Sequence, residues 1–265
     1  MIATIPVGNT PTGVVVNPST SRIYVANAIN NTVSVIDGAT NTVMATITVG
    51  TLPLGVGVNP STNLIYISNN LDDNVSVISG ATNTVITTIT VGDAPRDVGV
   101  NPLTNQIYVA NQTSSNVSVI DGLSNTVVAT IPVGGNAVGV GVNPLINRIY
   151  VTNFTDDTVS VINGATNTVI ATISVGDAPA AAGVNPSTNL IYVPNLGDDN
   201  VSVISGATNT AIATISVGDT PAAAGVNPLT NRIYVANTFD DNVSVIDGLF
   251  NAVIATISVG KAHKE

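Results

Sequence analysis

The dipeptide Ile-Tyr occurs at positions 23, 65, 107, 149, 191 and 233, always 42 residues apart. Val-Ser-Val-Ile keeps the same interval from 33 to 243, and Asn-Pro keeps it from 17 to 227. No insertion or deletion breaks the phase. Such a chain is an array of equivalent units, each of which must bury apolar surface against its neighbours. A disordered low-complexity tract would neither hold phase nor be 44% apolar.

In the first unit GVVV (13–16) runs into Asn17-Pro18. RIYVAN (22–27) follows, then a polar loop, then TVSVI (32–36). Asp37-Gly38-Ala39-Thr40-Asn41 turns the chain into VMATITV (43–49), which Gly50 ends. Val, Ile and Thr dominate these segments, as strands prefer, and nothing has a helical period. Pro suits the second position of a tight turn, and Gly and Asn tolerate positive φ. Each 42-residue unit therefore reads as a four-stranded antiparallel sheet, the length of a propeller blade. Continuous apolar runs such as IYV and VSVI suit a sheet buried on both faces. The column Gly57, Gly99, Gly141, Gly183 and Gly225 (Val15 in the first unit) suits the point where blades converge. A β-solenoid is the rival, but its coils are shorter and need no antiparallel turn such as DGATN. The expected fold is all-β, a six-bladed β-propeller with four antiparallel strands per 42-residue blade. It forms a single domain over 1–265, with six repeats at 8–260 and a tail at 261–265.

The outermost strand has seven copies, starting at 2, 44, 86, 128, 170, 212 and 254. Residues 1–7 and 254–259 thus compete to complete the last blade. The C-terminal copy follows its neighbour by a short turn, so closing that loop costs less entropy. Residues 1–7 are then spare, frayed or paired elsewhere. The alternatives are that residues 1–7 close the ring, or that they exchange between molecules at an exposed edge. A monomer is expected over a strand-exchanged oligomer. Equivalent blades without long loops also imply high stability, with unfolding above about 60 °C.

Ile149-Tyr150-Val151-Thr152-Asn153 contains YVTN. The unit NPLTNRIYVAN…DNVSVIDG…ATISVG resembles the YVTN β-propeller repeats of bacterial and archaeal surface-layer-type proteins, over essentially the whole chain. The resemblance implies a scaffold with few assigned activities and an extracellular or cell-surface setting. The Trp-Asp of WD40 repeats is absent. Some lyases use a related propeller with histidine chemistry, but the one histidine here is His263, in the tail.

The net charge of −10 and only six basic residues argue against nucleic acid as a partner, and none is expected. There is no cysteine to form a disulfide, a thiolate nucleophile or a metal site. No apolar run approaches the roughly 20 residues of a spanning helix. A membrane barrel needs longer strands and aromatic girdles, whereas aromatics are 3% here, so no membrane insertion is expected. The N-terminus shows no basic segment followed by an apolar core, hence no signal peptide, and the compartment stays open.

Strand alternation places twelve of the sixteen acids on or beside the loops at one end of the blades. They are Asp72, Asp73, Asp93, Asp97, Asp156, Asp157, Asp177, Asp198, Asp199, Asp219, Asp240 and Asp241, offset only by Arg96. The other end carries Arg22, Arg148 and Arg232 against Asp37, Asp121 and Asp247. An acidic face is expected. The paired residues Asp72, Asp73, Asp156, Asp157, Asp198, Asp199, Asp240 and Asp241 are the candidates for a cation, since Ca²⁺ takes about six to eight oxygens. Against a Ca²⁺ site, no turning glycine separates alternating ligands. The other readings are solvated turn residues that keep an apolar chain soluble, or attraction of a cationic partner.

Thr12, Leu54, Arg96, Val138, Ala180 and Ala222, atop the inner strands, make no polar ring, so no cofactor is expected. Acid–base hydrolysis by paired Asp needs one carboxyl protonated, and exposed loop carboxylates stay ionised. A nucleophilic Ser or Thr has no base placed beside it. Sequons at Asn30, Asn74, Asn111, Asn116, Asn153, Asn200 and Asn242 arise by chance in an Asn- and Thr-rich repeat. The reading is a non-enzymatic β-propeller scaffold for protein or cell-surface interaction. The alternatives are a Ca²⁺ or cationic-ligand module on the acidic face, self-assembly through the duplicated strand, and an acid-based hydrolase.

Overall fold

The structure, a computed structural model, describes residues 3–260. The start of the duplicated N-terminal strand (residues 1 and 2) and the 261–265 tail with His263 lie outside the described residues. The described chain is an all-β, six-bladed propeller with four antiparallel strands per blade, in sequential order.

Blade 1 is β1 (Pro11–Asn17), β2 (Arg22–Asn27), β3 (Thr32–Asp37) and β4 (Thr42–Thr48). Blade 2 is β5 (Pro53–Asn59), β6 (Leu64–Asn69), β7 (Asn74–Ser79) and β8 (Thr84–Thr90). Blade 3 is β9 (Pro95–Asn101), β10 (Gln106–Asn111), β11 (Asn116–Asp121) and β12 (Thr126–Pro132). Blade 4 is β13 (Ala137–Asn143), β14 (Arg148–Asn153), β15 (Thr158–Asn163) and β16 (Thr168–Ser174). Blade 5 is β17 (Gly183–Asn185), β18 (Leu190–Asn195), β19 (Asn200–Ser205) and β20 (Thr210–Ser216). Blade 6 is β21 (Pro221–Asn227), β22 (Arg232–Asn237), β23 (Asn242–Asp247) and β24 (Ala252–Ser258). Two compact units divide the chain, Met1–Ile131 with blades 1 to 3 and Pro132–Glu265 with blades 4 to 6.

Within each unit the core lies between blades. Tyr66, Val75, Val77 and Ile89 of blade 2 pack on Val98, Ile107, Val109 and Ile120 of blade 3. The same arrangement joins blades 1 and 2, 4 and 5, and 5 and 6. Alternate residues of IYV and VSVI therefore face opposite neighbours, which hides the usual two-residue alternation. Each fully buried Val or Ile contributes roughly 1.5–3 kcal/mol.

Glycine serves space rather than backbone freedom. No described glycine has positive φ. A Cβ on Gly57 would lie 2.7 Å from Val98 Cγ1 of the next blade, and one on Gly141 would lie 2.5 Å from the Ala182 carbonyl oxygen. The left-handed positions fall on other residues, four per blade. In the turn after β3 that residue is Asn41 at φ 56°, whose N–H donates to the Asp37 carbonyl at 2.8 Å. Of the two residue types expected to tolerate positive φ in these turns, the asparagine adopts it and the glycine does not. Asn, which tolerates the left-handed region, takes the strained position. Gly38 is glycine because a Cβ there would lie 2.5 Å from the Ser21 carbonyl oxygen.

Blade 5 departs from its siblings, with an inner strand of only three residues. Pro194 in β18 accounts for this. Its carbonyl accepts the Ala180 N–H at 3.0 Å, so its nitrogen faces the same strand with no hydrogen to give.

Candidate functional site

The loops between the second and third strands carry the paired aspartates, and their carboxylates point at backbone N–H groups. Asp72 Oδ2 accepts from Thr51 N–H at 2.7 Å, and Asp73 Oδ1 from Ala94 N–H at 2.8 Å. Asp156 Oδ2 accepts from Gly135 at 2.8 Å, and Asp157 Oδ1 from Ala178 at 3.0 Å. Asp198 accepts from Asp177 N–H at 3.0 Å and Asp199 from Thr220 N–H at 2.9 Å. Asp240 accepts from Asp219 N–H at 3.0 Å. The first member of each pair reaches 21 residues back, to the loop that enters its own blade. The second, in Asp73, Asp157 and Asp199, reaches 21 residues forward, to the loop that enters the next blade.

The second member also holds the left-handed position of its loop, with Asp73, Asp157, Asp199 and Asp241 at φ between 51° and 55°. Asn31 does the same in blade 1, and its Oδ1 accepts the Leu52 N–H at 3.0 Å. Ser114 replaces the first member in blade 3, accepting the Asp93 N–H at 2.7 Å. An amide, a hydroxyl and a carboxylate all serve, so the position demands an acceptor oxygen and not a charge. Among the described residues no three carboxylates converge on one point. The structure brings each candidate pair to one end of its blade and engages it with backbone. Asp97 receives the Val98 N–H at 2.8 Å, and Arg96 donates to Gln112 Oε1 at 3.4 Å.

The opposite end is fastened by asparagines of the Asn-Pro dipeptides. Asn59 is fully buried; its Oδ1 accepts the Ser61 N–H at 3.0 Å and its Nδ2 donates to Asn105 Oδ1 of the next blade at 2.6 Å. Asn17, Asn143 and Asn185 repeat the contact to Asn63, Asn189 and Asn231. Arg22 donates to the Gly80 carbonyl of blade 2. Arg232 pairs with Asp247 at 2.5 Å. The Leu249 N–H and then Arg232 hold the Asp247 carboxyl below its ordinary range. The Thr40 and Ala39 N–H groups do the same for Asp37. Burial pushes the phenols of Tyr66, Tyr108 and Tyr192 up to about 12.

Strand β24 pairs with β23, so the C-terminal copy is the outer strand of blade 6. Residues 3–7 form no strand. They lead into Gly8, which lies against Asn27 as Gly50 lies against Asn69.

One feature is absent from the sequence expectations. The two turns at the Asn-Pro end of blade 6 expose Leu229, Leu249 and Phe250. They touch through the Gly248 N–H, which donates to the Asn231 carbonyl at 3.0 Å. The signal was present: Leu249-Phe250 stand where the first unit has Ala39-Thr40, and Leu229 where it has Ser19.

Residues 2–127, under half of the chain, match the family described as Lactonase, 7-bladed beta-propeller. No curated protein matches the chain. A solved structure of Kuenenia stuttgartiensis hydrazine synthase superposes with a TM-score of 0.86 at 19% identity, over 99% of this chain and 91% of that one. At that identity the likeness is one of fold: this chain is a six-bladed propeller similar in architecture to that solved structure.

Proposed function

We propose that this chain is a non-enzymatic propeller scaffold that binds other proteins at a cell surface and works without metal or cofactor. The observation that carries the reading is the apolar patch on blade 6. Leu229 is 96% exposed, and Leu249 and Phe250 stand beside it at 73% each. Large apolar side chains grouped at adjoining turns favour contact with protein over water. The carboxylates that would otherwise suggest chemistry are engaged in holding loops together. The resemblance to surface-layer-type repeats supports the cell-surface setting.

Cosedimentation with cell-envelope fragments of the source organism tests the patch. Replacing Leu229, Leu249 and Phe250 together by Ser is expected to weaken binding at least about tenfold; unchanged binding sinks the patch.

The partial match to a lactonase family supplies the competing reading, hydrolysis of a ring ester by water to a hydroxy acid. That reaction needs a base to activate the water. Acid release from γ- and δ-lactones, followed in a pH-stat, is expected not to exceed that of heat-unfolded protein. Turnover abolished by a single Asp→Asn change would overturn the scaffold reading.

A further inference from the structure

One groove lies between blades 1 and 2 and another between blades 5 and 6, each inside one compact unit, with volumes of about 290 and 280 Å³. The first is walled by Thr48, Asp72, Asn74, Ser76, Val85 and Thr88. All six have counterparts in the second, four repeats later, and only Thr48 changes, to the hydroxyl of Ser216. The strands set this pattern. Asn74 and Ser76 stand two apart on β7 and so share a face, and Thr88 of β8 pairs directly with Ser76. In blade 6 Thr256 pairs with Ser244 in the same way.

A buried amide fixes which hydrogen-bonding groups each groove offers. Asn69 is fully buried, and its Nδ2 donates to Asn74 Oδ1 at 2.7 Å and to Ser76 Oγ at 2.8 Å. Asn237 donates to Asn242 Oδ1 and Ser244 Oγ at the same two distances. Those bonds use the acceptor oxygens, so Asn74 keeps its amide hydrogens and Ser76 its hydroxyl hydrogen to give elsewhere. Asp72 and Asp240 spend Oδ2 on the Thr51 and Asp219 N–H groups, which leaves Oδ1 of each as the acceptor beside those donors. Val85 and Val253, 36% and 37% exposed, add an apolar wall.

We propose that these two grooves bind a neutral saccharide, one sugar ring in each. Asp72 or Asp240 accepts from one ring hydroxyl, and the Asn-Ser pair of the same groove donates to its neighbours. Adjacent hydroxyls that both give and accept hydrogen bonds are what side-by-side donors and one carboxylate oxygen match. The C–H face of the ring rests on the valine. A volume near 290 Å³ is at the lower end for ligand sites and suits one ring rather than a folded chain. No basic residue lines either groove and the chain carries a net charge of −10, which disfavours phosphorylated or acidic sugars. The inference uses none of Leu229, Leu249 and Phe250, so it stands or falls separately from the scaffold reading.

Amide NMR spectra of the full chain test it, titrated with glucose, galactose, mannose and N-acetylglucosamine, and with glucuronate as the acidic control. A small ligand in an open groove binds weakly, so dissociation constants of roughly 1–10 mM are expected for at least one neutral sugar. The side-chain amide signals of Asn74 and Asn242 are expected to shift together, and glucuronate to bind more weakly. Asp72→Asn keeps an oxygen for the Thr51 N–H but gives up the charged acceptor. It is expected to weaken the response at Asn74 about tenfold or more and to leave Asn242 unchanged, so each groove controls for the other. Thr88→Val, on the exposed edge strand, is expected to weaken the same groove without unfolding the blade. Replacing Leu229, Leu249 and Phe250 by Ser is expected to leave both responses intact. No shift at Asn74 or Asn242 with any of the four neutral sugars overturns the proposal. So do shifts that Asp72→Asn and Thr88→Val both leave unchanged, and tighter binding of glucuronate. A response of these signals to Ca²⁺ but to no sugar overturns it in favour of a cation site.

Discussion

Replacing Asp156 and Asp157 separates two uses of the same carboxylates. Asp156 accepts the Gly135 N–H at 2.8 Å, and Asp157 the Ala178 N–H at 3.0 Å. Asp157 also sits at φ 55°, where Asn and Asp are tolerated and alanine is strained. Asn keeps an acceptor oxygen and the backbone tolerance, so Asp156→Asn/Asp157→Asn is expected to lie within about 0.5 kcal/mol of wild type. Alanine removes both acceptors. At about 0.5–1.5 kcal/mol for each of the two hydrogen bonds, plus about 1 kcal/mol for the left-handed backbone, the double alanine variant is expected to lose roughly 2–4 kcal/mol. At about 2–4 °C per kcal/mol for a chain of this size, its apparent Tm falls by roughly 4–16 °C. Thermal melts with and without Ca²⁺ read both effects. A cation site predicts the opposite pattern: Ca²⁺ raises the wild-type Tm by binding the folded state, and Asn and Ala variants lose that rise alike. Equal stability of the Asn and Ala doubles, together with a Ca²⁺ response in wild type alone, would refute the backbone-staple argument.

Pro194→Ala returns an N–H to β18 and is expected to stabilise the protein by about 1 kcal/mol and slow hydrogen exchange around Ala182; unchanged exchange there would show that proline is not what shortens β17. The Tyr66, Tyr108 and Tyr192 phenols ionise near 10 unfolded but only at about 12 folded. Their stabilisation is therefore complete below pH 10 and lost as pH rises through 12, roughly 2–3 kcal/mol each. Phenolate absorbance is expected to appear together with unfolding, and non-cooperative ionisation of a still-folded chain would contradict the burial. Tyr192→Ala is expected to cost about 3–5 kcal/mol in denaturant unfolding, and a cost under about 1 kcal/mol would contradict its full burial.

Strand positions were legible because the interval of 42 residues aligns six copies of every segment. RIYVAN, read as 22–27, is β2 to the residue. Turn chemistry was less legible. DGATN contains both a glycine and an asparagine, and conformational freedom alone favours the glycine; the carbonyl of Ser21 close to Gly38, which decides the matter, comes from another turn. The aspartate pairs were ambiguous for a similar reason. Seen in one loop, Asp156-Asp157 are two exposed charges. Their partners lie 21 residues away in each direction, half of the repeat, where the entering loops of two successive blades present an N–H. Spacing by half a period was available from the sequence; that those N–H groups would be unpaired was not.

Periodicity also hides what a single blade changes. The turns of blade 6 carry Leu229, Leu249 and Phe250 where the first unit has Ser19, Ala39 and Thr40, and the two turns still meet through the Gly248 N–H and the Asn231 carbonyl. The turn backbone is therefore kept while its side chains differ. Leu229 is 96% exposed and Leu249 and Phe250 73% each, so these side chains add little to the core and folding does not demand them. Apolar side chains that cost solubility without filling a core are what a contact surface requires of a turn.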